Sequence, residues 1–300
     1  MAASWSELML SKLVGRCNNF FQPGSSRAMC KPFMVGDQQV GWVWPGVEKH
    51  IQRFPDVFMV EDKQVSLCPS LQMYEERTAR VQEVMVKLRE EGEFIALKGW
   101  RDEMYEVFHQ RSSPPVFRME RTATALLGVK QYGVHVNGYV EHPQKGPLMW
   151  IGRRAKNKST YPGKLDQVTA GGFTAGLTAQ EVLVKECAEE ANIPQDIALT
   201  AQPAGAISYF YEDERGLFPE IQFVFDLKLP LDFQPVNTDG EVSEFYLWDM
   251  DKVKEQIAQP DFKPNCAMVV LDFLIRHGHI HPDQEPRYLQ FLENLHKTLF

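Results

Sequence analysis

Three carboxylates, Glu186, Glu189 and Glu190, fall at positions i, i+3 and i+4 of a segment with helical apolar spacing. On a helix they converge within a turn and a half. Anions that close repel one another unless positive charge lies between them, and hard divalent cations such as Mg²⁺ or Mn²⁺ prefer oxygen ligands of this kind. The other side of the helix carries Val184, Cys187, Ala188 and Ala191, which are small or apolar and suited to burial, with Cys187 an inert thiol. Many solvated helices carry an E-x-x-E-E run. This one is set apart by the pair Gly171 and Gly172 ahead of it, a capping-box spacing at Thr178 and Glu181, and the apolar Ile193 after its end.

A run of positive charge leads into the Gly pair. Arg153, Arg154, Lys156, Lys158 and Lys164 occur with no acid among them until Asp166, in a chain of net charge −8. Arginine can grip phosphate oxygens with two bonds and lysine adds a mobile point charge. Carboxylates for a metal beside cations for phosphate suit hydrolysis of a diphosphate, whose anionic oxygens otherwise repel a nucleophile.

The residues around the acidic helix resemble those of the Nudix hydrolases, whose box reads G-x5-E-x7-R-E-U-x-E-E-x-G-U on a loop, helix and loop, U being bulky and apolar. Gly171 takes the first Gly, Lys185 the Arg, and Glu186, Glu189 and Glu190 the three acids. Leu177 stands where the first Glu belongs, and Asn192 replaces the last Gly at a position where Asn accepts left-handed geometry. The resemblance implies an α+β fold, a Nudix-type α/β/α sandwich with a mixed sheet. It also implies a divalent metal, Mg²⁺ or Mn²⁺, on Glu186, Glu189, Glu190 and the carbonyl of Gly171. Arg153, Arg154, Lys156, Lys164 and Gly172 are expected at the substrate. The general base is expected on a later loop, where Asp239, Glu241 and Glu244 stand; Glu241 is the choice, with Glu189 or Glu190 as alternatives. The segments YGVHVNGYV, WIGRRAKNKSTYPGKLDQVTAGG and DFLIRHG are similar to one branch of the family. That branch carries an N-terminal extension of about a hundred residues and is associated with thiamine diphosphate and its oxidised analogues. Alternatives are a nucleoside-diphosphate derivative as substrate, a diphosphate-binding module that does not hydrolyse, and an isoprenoid diphosphate isomerase, for which no convincing Cys and Glu pair is evident.

The elements that must position these residues are readable in outline. Residues 69–91 form an amphipathic helix, with Ser70 as cap and Gly92 as stop. Ser112-Ser113-Pro114-Pro115 marks a boundary between an N-terminal α/β extension, 1–114, and the hydrolase domain, 115–300. RMERTATALLGV reads as a short helix, YGVHVNGYV and PLMWIGRR as strands, and 154–170 as a long basic loop. Strands follow near 203–211, 220–229 and 242–248, and helices near 250–258, 265–277 and 284–297. His135 and Asn137 share a strand face that lines a pocket or meets solvent. His277, His279 and His281 read as surface residues, and Trp42, Trp44 and Trp100 as core by default.

At 300 residues, 44% hydrophobic and 24% charged, the composition is that of a globular protein with ample core. No apolar run approaches the ~20 residues of a membrane span. The acidic balance argues against nucleic acid as a partner and the five scattered cysteines, without C-x-x-C spacing, against a zinc ribbon. Reduced thiols and the absence of a secretory signal pattern lead to a cytoplasmic expectation.

Overall fold

The computed structural model describes residues 3–300. Helix α1 (Trp5–Lys12) opens on a capping box between Ser4 and Glu7. Strands β1 (Lys31–Val35) and β2 (Gln38–Val43), helix α2 (Pro45–Ile51), and strands β3 (Phe58–Val60) and β4 (Val65–Leu67) follow. The four strands make a sheet ordered β2-β1-β4-β3, parallel between β1 and β4 and otherwise antiparallel. Helix α3 (Tyr74–Glu91) buries Val81, Val84, Met85 and Leu88 against this sheet's core and ends at Gly92 in left-handed geometry. Its N-cap is Met73 rather than a serine. After α4 (Ile95–Lys98), β5 (Met104–Val107) and β6 (Phe117–Glu120) pair as a hairpin.

The second half of the chain builds the larger sheet. Its strands are β7 (Gln131–His142), β8 (Gly146–Arg154), β9 (Leu165–Gln167), β10 (Thr169–Gly172), β11 (Gln202–Asp213), β12 (Gly216–Lys228) and β13 (Val242–Asp249). The order is β11-β12-β7-β8-β13, with β10 added to β7 and β9 to β8. β12 runs parallel to β7 and every other described pair of this sheet is antiparallel. Strand periodicity sends alternate residues to opposite faces. Val134, Val136, Leu148 and Trp150 pack on α5 (Ala179–Ala191) and α6 (Gln195–Ala198). Met149, Ile151, Tyr209 and Val224 pack on α7 (Met250–Ile257), α8 (Pro264–Arg276), α9 (Tyr288–Leu295) and α1. The result is an α/β/α sandwich with a mixed sheet, as the sequence implied, and a smaller α/β unit before it.

Packing does not divide the chain at residue 114. The Ser112–Pro115 break lies in the connection between β5 and β6, which are bonded to each other. Phe117, Met119, Leu126, Leu127 and Val129 complete the core of the first unit, whereas Met9, Leu13 and Cys17 from the N-terminus belong to the core of the second. Lys12 explains part of this return: its buried ammonium donates to the carbonyls of Ile257, the last residue of α7, and of Gln259 and Phe262 beyond it. The expected helix at RMERTATALLGV is instead strand β6 followed by a 3₁₀ turn over Arg121–Ala125, because Phe117 and Met119 alternate into the core. The basic loop contains β9 and the start of β10.

One glycine locks the two units together. Gly216 closes the β11–β12 hairpin at φ 141°, and a Cβ there would strike the carbonyl of Ala125. Gly216→Ala is expected to cost roughly 2 kcal/mol of unfolding free energy or more. A urea-unfolding midpoint equal to wild type would show that the junction relaxes freely.

Candidate active site

β12, β7 and β10 lie side by side, and their register sets Gln222, Gly133 and Gly172 in one row. Side chains on this face are Gln131 and His135 from β7 and Glu220 and Gln222 from β12. The two glycines hollow the middle of the row. A Cβ on Gly133 would run into the Gln222 amide oxygen, and one on Gly172 into the Arg121 guanidinium. Above the hollow opens a cleft of about 950 Å³, bounded by α5, the 157–161 and 239–241 loops, the N-terminal end of α8 and residues 95–124.

The acidic wall is α5. Thr178 and Glu181 form the capping box, and Asn192 takes left-handed geometry at the far end, φ 52°. Val182, Leu183, Cys187 and Ala191 are buried, while Ala188, expected inside, is exposed. β10 pairs with β7 alone, so its other edge is free. Glu190, 7% exposed, covers that edge and accepts the Ala170 N–H at 2.8 Å. Gly171 lies so close to Glu186 that a Cβ would overlap the carboxyl group. Burial pushes the Glu190 carboxyl up to about 8, against the help of the Ala170 N–H and with repulsion from Asp166, Glu186 and Glu241. Burial raises Glu186 as well, only partly offset by Lys185. Glu189 is exposed and turns to Lys185 at 2.8 Å.

Buried oxygen donors whose charge is disfavoured without a partner fit a hard divalent cation. Glu186 and Glu190 stand together at the strand edge, with Glu189 one turn out, whereas the Gly171 carbonyl, expected as a further ligand, faces β7, 3.2 Å from where a Gly133 Cβ would lie. Among the described residues, the His/Cys/Asp/Glu group with ligating atoms all within 4.8 Å of one another is a different one, His50, Glu91 and Glu93. There Arg53 already holds Glu91 at 2.7 and 2.9 Å. Leu177 packs half-buried on the α5-side core, its carbonyl accepting from Arg111 at 3.0 Å, and does not line the cleft.

Of the five cations in the basic run, the structure brings Arg154 and Lys158 to the cleft. Arg154 is braced by Asp166 at 2.9 Å and by the Thr160 carbonyl, and Lys158 is paired with Glu241. Arg153, Lys156 and Lys164 do not line it. Arg153 is drawn to the Gly163 carbonyl and Asp261, Lys164 donates to the Pro260 carbonyl, and Lys156 points to solvent. Glu241 and Asp239 both line the cleft, and Asp239 accepts the Glu241 N–H at 2.8 Å. Glu244 is held outside it by the Tyr246 hydroxyl.

His135 lines the floor and Asn137 is buried beneath it, so neither meets solvent. Burial first, then the nearby Lys263, lowers His135 to about 4 and keeps it neutral. His277 pairs with Asp226, and Trp42, Trp44 and Trp100 lie away from the cleft.

Residues missed in the sequence occupy the rest of the cleft. Lys263, paired with Asp166 at 3.2 Å, caps α8. Tyr161, Tyr211 and Phe218 form an aromatic side, the last two stacked at 4.7 Å. Glu220 accepts from the Tyr209 and Tyr211 hydroxyls and the Gln222 amide, three neutral donors. The polar alternation of Glu220 and Gln222 within an apolar strand was the available signal.

The chain is 39% identical over 293 residues to Nudix hydrolase 20, chloroplastic, of Arabidopsis thaliana, covering 94% of this chain and 76% of that protein. It is 40% identical to Nudix hydrolase 24, chloroplastic, of the same plant, covering 88% and 72%. The chain belongs to the Nudix hydrolase family. It is thus a hydrolase of the diphosphate type, and the box resemblance at 171–193 is that family's. The MutT protein from Methanosarcina mazei is a solved structure with similarity to this chain, at 18% identity, covering 49% of this chain and 95% of that one with a TM-score of 0.39. Residues 9–131 match a family described as "Domain of unknown function (DUF4743)".

A stability test follows from Glu190. Its folded-state carboxyl titrates at about 8, above the ordinary 4.5, so the folded chain holds the extra proton between those values. Stability present below that window is therefore lost as pH rises through it. In EDTA, wild type should lose melting temperature between pH 5.5 and 8.5 relative to Glu190→Gln, which has no such proton to lose. Parallel pH profiles for the two proteins would contradict this.

Proposed function

We propose that this Nudix hydrolase cleaves thiamine diphosphate, or an oxidised analogue of it, to the monophosphate and phosphate. The observation that carries the reading is that one cleft is lined by two unlike sets of side chains. One set is the α5 carboxylates with Arg154 and Lys158. The other is Tyr161, Tyr211 and Phe218 with Glu220 and Gln222. A diphosphate tail suits the first set and a flat nitrogen heterocycle the second, through stacking and through N–H donors to Glu220. The likeness of the 90–280 segments to the thiamine diphosphate branch supports the choice of heterocycle.

Glu186, Glu189 and Glu190 would hold Mg²⁺ or Mn²⁺, which neutralises diphosphate charge and polarises phosphorus. Arg154, already braced by Asp166, is oriented for phosphate oxygens. Lys158 is paired with Glu241 in the substrate-free chain. An arriving phosphate competes for Lys158 and frees Glu241, which takes a proton from the attacking water as the oxygen bonds to the terminal phosphorus and the bridging P–O bond breaks. Five free cysteines, four of them buried, support a cytoplasmic setting.

Two measurements check the reading. Glu190→Gln, or EDTA with wild type, should abolish phosphate release while the fold is retained; full turnover in either removes the metal site from the mechanism. Comparing kcat/KM on thiamine diphosphate, its oxo and oxy forms, ADP-ribose and a nucleoside diphosphate should place a thiamine compound first. If ADP-ribose or a nucleotide led by ~tenfold, about 1.4 kcal/mol of transition-state binding, the thiamine assignment would fall and the hydrolase assignment stand.

A further inference from the structure

Part of the cleft wall comes from the N-terminal unit. Ile95, Gly99, Arg101, Glu103, Arg121 and Thr122 all line it, so the smaller unit closes over the hydrolase sheet at the end where Gly172 meets Arg121.

Segment 99–103 is bolted in place. Glu120, 0% exposed, accepts the backbone N–H groups of Arg101 at 3.1 Å and Glu103 at 3.2 Å. The Arg121 N–H returns to the Glu103 carbonyl at 2.8 Å. Asp102, between the two pinned residues, adopts left-handed backbone with φ 58°, and its carboxylate accepts the Trp100 indole N–H at 2.8 Å. The Arg89 guanidinium lies 4.8 Å from the Trp100 ring centre. A buried carboxylate spent on two loop amides and a non-glycine residue at positive φ are what hold this short segment in one conformation.

That segment presents Arg101 to the cleft with its charge unspent. The other lining cations are each paired: Arg121 with Glu103, Arg154 and Lys263 with Asp166, Lys158 with Glu241, Lys185 with Glu189, Arg215 with Asp213. Among the described residues Arg101 has no carboxylate within 4.0 Å. Its guanidinium reaches the Ser159 hydroxyl of the basic loop at 3.4 Å, spanning the mouth between the two units.

We infer that Arg101 binds the phosphate groups of the substrate, so that the N-terminal unit supplies an affinity-setting contact and the hydrolase fold alone has an incomplete site. A guanidinium on a fixed backbone offers forked donors to phosphate oxygens with little further ordering. The inference rests on the diphosphate reading of the cleft. Arg101 binds the substrate's anionic end and does no proton transfer, so its loss should weaken ground state and transition state alike.

The test uses the full chain with Mg²⁺. Arg101→Ala should raise KM for the best diphosphate substrate ~tenfold with kcat within about twofold. It should also raise the Kd for inorganic pyrophosphate, read by calorimetry, by a similar factor, about 1.4 kcal/mol. Arg101→Lys should recover part of both, since it keeps the charge and loses the fork. Melting temperatures of both variants should match wild type, because the side chain is exposed. Unchanged KM and unchanged pyrophosphate Kd in Arg101→Ala would overturn the inference, as would a wild type that does not bind pyrophosphate. A wild type that binds pyrophosphate through Arg101 yet hydrolyses no diphosphate would remove the proposed function and leave this contact standing.

Discussion

Two carboxyl groups at the free edge of one strand, Glu190 buried and Glu186 half-buried, set the terms for the rest of this protein. Glu190 accepts the Ala170 N–H and Glu186 lies against Gly171, with Lys185 offsetting part of the cost at Glu186 alone. Burial of a carboxylate without a charged partner is among the costliest arrangements available to a folded chain. Helix α5 nonetheless delivers both residues there, because its other face, Val182, Leu183, Cys187 and Ala191, docks on the sheet core and leaves no freedom to rotate away. The capping box and the left-handed Asn192 fix both ends of the helix. The acids are therefore held in a state that a divalent ion completes.

A second constraint comes from the sheet. Gly133 and Gly172 withhold side chains at the centre of the floor, and the space goes to Gln222, Arg121 and a ligand. Beneath the wall, Asp166 is shared by Arg154 and Lys263 and also accepts from the Cys266 thiol at 2.6 Å. Burial opposes its charge, yet the two cations hold its carboxyl well below the usual range, so it stays ionised. The arrangement orders two cations at the cleft while consuming one anion, leaving net positive charge for phosphate.

The sequence made the α5 machinery legible because it is local: helix spacing, capping box, Gly pair and terminal Asn all fall within 23 residues, and each has a short-range physical reason. Strands β7, β8 and the last helices were legible for the same reason, through periodicity. The rest of the site was not. Arg153, Lys156 and Lys164 look equivalent to Arg154 and Lys158 in a basic run, but strand alternation and the partners Asp261 and Pro260 send them elsewhere. Glu120, Arg101 and Lys263 acquire their positions through contacts far apart in sequence, which no local pattern encodes. The Ser112–Pro115 break read as a linker because turn chemistry looks alike in a hairpin loop and between domains; only the pairing of β5 with β6 separates the two cases.

Burial favours the protonated form of the Glu190 carboxyl, and a divalent ion bound there would displace that proton. Calorimetric titration of the metal-free protein with Mn²⁺ at pH 7, in two buffers of different ionisation enthalpy, counts the protons released on binding. About one proton per ion is expected for wild type and close to none for Glu190→Gln. Tight Mn²⁺ binding by wild type with no proton released would contradict it.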